Sequence, residues 1–471
     1  MRGLIGYGVY VPSFRLDRKA IAGALGSPGG AGTRSVASYD EDTTSLGVEA
    51  ARAALRATPA ARPDALFFAT SLPAYLDKTN ATAIHAALGL DAEALACDML
   101  GSVRSGAGAL RAALQGGGLT LVALADIRTG LPGGGDEREG GDGAAALVCA
   151  DDSRELPVLA EPVAHASTTA EFLERWRVPG EPASHQWEER FGEHAYVPLG
   201  EAAVTEALKH AGVTAPAIHR WIIAGPHARA TKRLAASVGA TKGTVADDLA
   251  AVVGNTGTAH AALLLAQALD AAAADQLIAA VSLADGCDVT IWRTTAALSG
   301  HRPKAKVAAQ IAGGVPVSYQ GFLTWRGFLQ REPPRRPDPE PPAAPPSRRA
   351  EDWKFGFTGS RCQACGARHL PPQRVCVKCH AMDRMAPERL ADVPATIATF
   401  TVDRLAYSLS PPVVAAVIDF EGGGRFQCEL TDVDPAAVRI GDRVEMTFRR
   451  LFTAHGVHNY FWKARPVRPQ G

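Results

Sequence analysis

Four cysteines carry the most specific chemistry in the sequence. Cys362-Gln363-Ala364-Cys365 and Cys376-Val377-Lys378-Cys379 are two Cys-x-x-Cys pairs with ten residues between them. Each pair forms a tight knuckle that puts both sulfurs on one side of the backbone. Two knuckles joined by a short ribbon supply the four thiolates of a tetrahedral zinc site through Cys362, Cys365, Cys376 and Cys379. Two disulfides are the other arrangement these cysteines allow. Four thiolates leave no position for water or substrate, so the expected Zn2+ is structural and the reactive chemistry must lie elsewhere. Cys97, Cys149, Cys287 and Cys428 are widely scattered, which points to a reducing, cytoplasmic compartment.

The cysteine pairs divide the chain. A large Ala/Gly-rich region precedes them and a small β-rich region follows. A length of 471 residues implies two to four domains. Lys+Arg and Asp+Glu balance at 49 each, which argues against nucleic acid or an acidic surface as partner. The opening Met1-Arg2-Gly3-Leu4-Ile5-Gly6 reads as a strand rather than a signal peptide, and no apolar run is long enough to span a membrane.

Residues 1–300 read as a duplicated α/β unit. In the first copy, Asp40-Glu41-Asp42-Thr43 precedes a helix over 44–55. A strand over 64–71, helices over 80–90 and 103–114, and strands over 119–126 and 140–149 follow. The second copy repeats the order: helix 201–211, strand 219–225, helices 229–239 and 257–269, strands 276–283 and 289–293. This pattern predicts a mostly parallel sheet covered on both faces, and two copies predict five layers around a shared central pair of helices. The boundaries read as halves 1–163 and 200–300 with an insertion over 164–199. A proline-rich linker over 331–349, a zinc ribbon over 350–385 and an OB-type β-barrel over 386–471 complete the chain.

The order of these pieces resembles the thiolase superfamily, and within it the hydroxymethylglutaryl-CoA synthase branch. The resemblance covers roughly residues 1–320. It is carried by Gly6-Tyr7-Gly8-Val9-Tyr10-Val11-Pro12, by Tyr39-Asp40-Glu41-Asp42-Thr43 running into Val48-Glu49-Ala50-Ala51-Arg52, by Arg190-Phe191-Gly192-Glu193-His194-Ala195-Tyr196, and by Gly254-Asn255-Thr256. The C-terminal third resembles the zinc-ribbon/OB-fold accessory proteins that accompany thiolases, here fused to a synthase-like part.

That family works with a Cys at a helix N-terminus that takes the acyl group, a Glu that moves protons, and a His that orients the second acyl-CoA. A helix N-terminus lowers a thiol's pKa and binds an oxyanion, and a carboxyl group can remove and return an α-proton. Carried over residue by residue, the Cys position is Val103, the Glu position falls at about Ser71 and the His position is Ala224. The resemblance therefore implies the family fold without its covalent chemistry. Asn255 keeps its family loop, where it holds a thioester carbonyl or a water. Arg229 stands where the family has a CoA-contacting Lys, and Lys232 and Arg233 extend a basic face suited to CoA phosphates. His227, Tyr75 and Asp77 are the replacement acid/base candidates, with His194, Tyr196 and His260 beside them.

Three functions remain open at this point. One is a thiolase-fold carbon–carbon lyase or synthase, such as a retro-aldolase acting on a β-hydroxyacyl-CoA without an acyl-enzyme. The second is a non-catalytic scaffold that binds acyl-CoA within a thiolase complex. The third is an acyltransferase of the synthase type. The expected partners are acyl-CoA, a second copy of the chain paired near the strand over 119–126, and a thiolase-type enzyme.

Overall fold

The computed structural model describes residues 1–468 apart from 27–29, 302, 304, 336 and 338. The first half contributes β1 (Arg2–Tyr10), α1 (Thr43–Ala57), β2 (Ala65–Thr70), α2 (Ala81–Leu88), β3 (Leu95–Leu100), α3 (Ser105–Gln115), β4 (Thr120–Asp126) and β5 (Gly143–Asp151). The second half contributes β6 (Ala160–Thr169), α4 (Glu189–Ala211), β7 (Arg220–Ala224), α5 (Ala228–Ser237), α6 (His260–Ala271), β8 (Leu277–Leu283) and β9 (Gly286–Thr294). The strands follow the order β7-β8-β9-β6-β1-β5-β4-β2-β3, and within the sheet the halves join at the pair Leu4–Ala160. β3-β2-β4 and β7-β8 are parallel, and the remaining neighbours are antiparallel.

The duplication is visible in the layers. α1 covers the outer face of the first half and α4 that of the second, with α3 and α6 between the sheets. Among the described residues the second half has, in place of a counterpart of β3, the parallel bridge Trp221–Val245. β1 and α1 approach so closely that a Cβ at Gly8 would lie 2.3 Å from the Ala54 backbone nitrogen. Only glycine permits that distance.

Three expectations are corrected. Residues 164–169, expected to start an insertion, belong to β6, the first strand of the second half, and α4 begins at Glu189 rather than near 201. Pro198 inside α4 disguised its continuity, because proline normally marks a helix end. The strand expected at an open edge, over 119–126, is interior, between β5 and β2, and the exposed edge strand is β3. The linker is helical over Ala344–Arg349, and the segment expected as ribbon opens with a helical turn, Glu351–Lys354.

The ribbon forms from β10 (Thr358–Cys362), β11 (Arg368–His369) and β12 (Met385–Arg389). β13 (Ala395–Asp403), β14 (Val413–Phe420), β15 (Arg425–Leu430), β16 (Arg443–Ala454) and β17 (Val457–Pro466) close a barrel in the order β13-β14-β15-β17-β16. The barrel sits on α1. Leu46, Ala50 and Ala54 share one apolar core with Val444, Phe448 and Trp462. Beside that core lies a buried polar network. Arg449 pairs with Glu41 at 2.8 Å, Asp40 at 3.2 Å and Asp432 at 2.9 Å. Arg465 pairs with Glu49 at 2.6 Å, and Lys463 with Asp40 at 3.1 Å. The acidic residues ahead of α1 are thus interface groups. Asp42 also caps the helix, accepting from the Ser45 N–H at 2.9 Å.

Candidate functional site

The four ribbon cysteines converge. Their sulfurs all lie within 4.8 Å of one another. Cys362–Cys379 and Cys365–Cys376 are 3.6 and 3.5 Å apart. A zinc ion with bonds of about 2.3 Å needs sulfur–sulfur separations of roughly 3.8 Å, so the set fits the ion. The N–H groups of Cys379 and Lys378 each donate to Cys376 Sγ at 3.4 Å. They pull that thiol down to about 5, toward the thiolate a metal requires. The site is a zinc-ribbon centre with a structural metal.

The second constellation lies where α3 begins. Arg104 fixes that end of the helix to the second half, bonding Asp288 at 2.8 Å, the Asp285 carbonyl at 2.8 Å and the Thr168 carbonyl at 2.9 Å. Val103, Gly106 and Ala107 then open onto a cavity of about 350 Å³ between the central helices and the second-half sheet. Ala224, Gly225 and Asn255 form its near wall and also line a second cavity of about 250 Å³. The second one carries the charged side chains: Arg18, Arg128 and Lys232 line it together with Asp136, Glu139 and Asp248. Arg128 makes no side-chain hydrogen bond or ion pair among the described residues, and burial lowers its pKa.

Asn255 is held from both sides. Its Nδ2 donates to the Gly225 carbonyl at 2.6 Å and its Oδ1 accepts from the Gly257 N–H at 2.8 Å. An amide nitrogen carries two hydrogens, so a second donor remains. The loop is anchored by Asp126, a buried carboxylate that accepts from Thr258 N and Oγ1, Ser71 N and Oγ, and Thr70 Oγ1 at 2.6 to 2.9 Å. His260, at the start of α6, lines the polar cavity. Its Nδ1 lies 3.4 Å from both the Thr256 N–H and Oγ1, and desolvation pushes its pKa down to about 4. With Nδ1 accepting from the Thr256 N–H, the ring is neutral and Nε2 carries the hydrogen, a tautomer assigned from this bonding pattern.

The expected site residues separate. Asn255 and Lys232 line the polar cavity. His227 lines neither cavity: its Nδ1 accepts from the Ala230 N–H at 3.1 Å as the cap of α5, and its Nε2 lies 2.8 Å from the Glu189 carbonyl. Both nitrogens are engaged, which leaves it no free base. Tyr75 belongs to the barrel contact, where its hydroxyl accepts from the His458 N–H at 2.7 Å. Asp77 is exposed beside it. Arg229 pairs with Glu189 at 2.7 Å on the surface, and Arg233 pairs with Glu193. His194 is exposed, and Tyr196 bonds Glu174 at 3.3 Å. Arg18, Arg128 and Asp126 were missed. Arg128 follows the carboxyl end of a parallel-paired strand, where α/β sheets place ligands, and that was the available signal.

The fold and this site define a thiolase-type protein: a duplicated five-layer α/β body whose cavity lies at the start of a central helix. Comparison with known proteins narrows the class. The chain is 30% identical over 345 residues to the hydroxymethylglutaryl-CoA synthase of Aeropyrum pernix, covering 69% of this chain and 94% of that protein. It is 27% identical over 344 residues to that of Archaeoglobus fulgidus, covering 69% and 98%. The chain belongs to the hydroxymethylglutaryl-CoA synthase family. Similar solved folds include an HMG-CoA synthase complexed with CoA (TM-score 0.59, 17% identity, 68% of this chain and 89% of that one). MvaS in complex with 3-hydroxy-3-methylglutaryl coenzyme A is another (TM-score 0.58, 19% identity, 72% and 94%). Residues 356–383 match the family described as ChsH2, rubredoxin-like zinc ribbon domain, and residues 388–449 match ChsH2, C-terminal OB-fold domain. Among the described residues no helix is long and apolar enough to cross a membrane.

Proposed function

We propose that the chain binds an acyl-CoA thioester and breaks, or in reverse makes, the adjacent carbon–carbon bond without a covalent acyl-enzyme. The carrying observation is the lining of the two cavities. Val103 and Ala224 line the apolar one where the family resemblance expects a nucleophile and a histidine, while Asn255, on the wall the cavities share, and the neutral His260, on the polar one, remain as donors. CoA phosphates go to the Arg18, Arg128 and Lys232 side, and the acyl group passes Asn255 into the apolar cavity. In a retro-aldol cleavage the β-hydroxyl loses its proton and its oxygen becomes a carbonyl as the Cα–Cβ bond breaks. The bond's electron pair moves onto the thioester oxygen as an enolate, and protonation at Cα releases a shorter acyl-CoA and an aldehyde or ketone. Asn255 and His260 stabilise the enolate oxygen. His165 lines the apolar cavity with an Nε2 that has no hydrogen-bond partner among the described residues, and it is the candidate to receive the proton.

The test is turnover of a β-hydroxyacyl-CoA by the purified chain, with Asn255→Ala and His260→Ala beside it. The expected result is a shortened acyl-CoA plus a carbonyl product, with kcat reduced about a hundredfold in either variant. Cleavage that both variants leave untouched overturns the assignment. A second reading is a scaffold that holds acyl-CoA for a thiolase-type partner. It is favoured by the engagement of His227 and Tyr75 in structural bonds, and absence of turnover together with tight CoA binding supports it. In either case the chain pairs with a second copy through the exposed edge of β3, which removes the open edge. A monomer at micromolar concentration in light scattering contradicts that pairing.

A further inference from the structure

The segment between β6 and α4 folds into a short hairpin, Arg175–Trp176 paired with His185–Gln186. Its two faces differ. Arg175 pairs with Asp136, and Arg177 donates to the Ser71 carbonyl at 2.5 Å, so one face ties the hairpin across to the first half. Side chains alternate along a strand, which puts the intervening Trp176 on the other face. His185 is its direct partner there, with the rings stacked at 5.5 Å and 16°. Trp187, whose N–H continues the pairing to the Glu174 carbonyl at 2.8 Å, sets a third ring 6.5 Å from Trp176 at 43°. This face points to solvent: Trp187 is 58% exposed, and Leu173 and Val178 of the same segment are 56% and 54% exposed.

The patch has donors and a charge. Among the described residues the bonded indole N–H groups are those of Trp325 and Trp462, so those of Trp176 and Trp187 are open. Residues 178–189 hold three glutamates and no lysine or arginine. Glu181 lies 3.1 Å from His185 Nε2, and Glu188, next to Trp187, is exposed. Exposed rings with open N–H groups suit a polyproline II segment. Its prolines lie flat on the rings, and its carbonyls, which have no internal hydrogen bond, accept from the donors.

The chain itself carries such a segment. Pro333-Pro334-Arg335-Arg336-Pro337 sets two arginines inside a proline run, and Pro339, Pro341 and Pro342 continue it. The described residues from 331 to 340 are all exposed, and none is in a helix or strand. Both ends of the run are held at the barrel: Arg331 donates to the Ser408 carbonyl at 3.3 Å, and Trp353 packs edge-on against Phe426 and Phe461. Within one chain, no hydrogen bond, ion pair or ring contact joins this run to the hairpin among the described residues. We infer that the outward face of the hairpin docks the proline-rich segment of a second copy of the chain, with prolines on Trp176 and Trp187 and Arg335 toward Glu181 and Glu188. This contact is separate from pairing at the β3 edge and does not depend on the acyl-CoA reading.

The experiment titrates the full chain, at submicromolar concentration, with a synthetic peptide of residues 331–343 and follows tryptophan fluorescence. Saturable binding is expected. Trp187→Ala, a change at an exposed ring, should weaken it by about thirtyfold or more. A peptide with alanine in place of every proline should lose binding as well, because it is no longer preorganised. A benzophenone amino acid at Ala343, in an equal mixture of isotopically light and heavy chains, then reports the source. Photo-crosslinks from that position to residues 173–187 should include light–heavy hybrids. Failure of the peptide to bind overturns the docking surface. Equal binding by the Trp187→Ala chain, or by the alanine peptide, overturns the aromatic–polyproline contact. Crosslinks confined to single-isotope pairs overturn the second copy as the source of the segment.

Discussion

Arg449→Met tests whether body and barrel are one folded unit. Arg449 is fully buried in the barrel, yet its guanidinium faces three carboxylates, two of which, Asp40 and Glu41, come from the α/β body. Lys463 still serves Asp40, and Arg468 lies 3.6 Å from Asp432. Glu41 loses its only cationic partner within 4 Å among the described residues. Removing one partner of a buried ion pair costs about 3–5 kcal/mol. Burial already pushes the Glu41 carboxyl up to about 7, and losing Arg449 raises it further. A folded-state carboxyl pKa above the unfolded one makes stability fall as pH rises between the two values. The deficit should therefore be larger at pH 8 than at pH 6, by up to about 1.4 kcal/mol for each pH unit over which Glu41 stays protonated. Urea denaturation at both pH values, followed by tryptophan fluorescence and far-UV circular dichroism, reads this directly. One shared transition, shifted more at pH 8, is expected. A deficit below about 1 kcal/mol, or a barrel that melts separately, refutes the reasoning.

Other outcomes follow from the same geometry. The chain should hold one zinc, and Cys376→Ser should lose both the metal and thermal stability; retention of both by metal analysis and calorimetry contradicts the ribbon assignment. His260, held neutral with a folded pKa of about 4 against 6.5 unfolded, contributes stability that is complete above pH 6.5. That contribution, about 3 kcal/mol, is lost as pH falls toward 4, and His260→Gln should flatten the slope. Val103→Cys places a thiol at the start of α3 and should gain a covalent acyl adduct from acyl-CoA, visible as an added mass. A Val103→Cys chain that stays unmodified would place the thioester elsewhere.

The five-layer body was legible because its buried strands and amphipathic helices alternate in two matching series, and the zinc site because Cys-x-x-Cys spacing is geometry written in one dimension. The barrel was legible from five alternating runs. β6 was not, since Ala160–Thr169 is rich in alanine and polar residues and its pairing with β9 is long-range. The interface was not, since Asp40, Glu41 and Glu49 read as helix-start and helix-face acids until Arg449 and Arg465 are folded onto them. Asn255 was read from its loop, and it lines both cavities. For His227 and Tyr75, sequence cannot say whether a ring nitrogen or hydroxyl is already bonded. Their partners, the Glu189 carbonyl and the His458 N–H, are distant in sequence.

The central claim is that acyl-CoA is handled here without a covalent intermediate. Intact-mass spectrometry of the wild-type chain, taken while a β-hydroxyacyl-CoA is being cleaved, tests it most directly. The account predicts an unchanged protein mass alongside accumulating short acyl-CoA and carbonyl product. An acyl increment on the protein during turnover, mapped to Ser102, Cys97 or any other side chain, would contradict it.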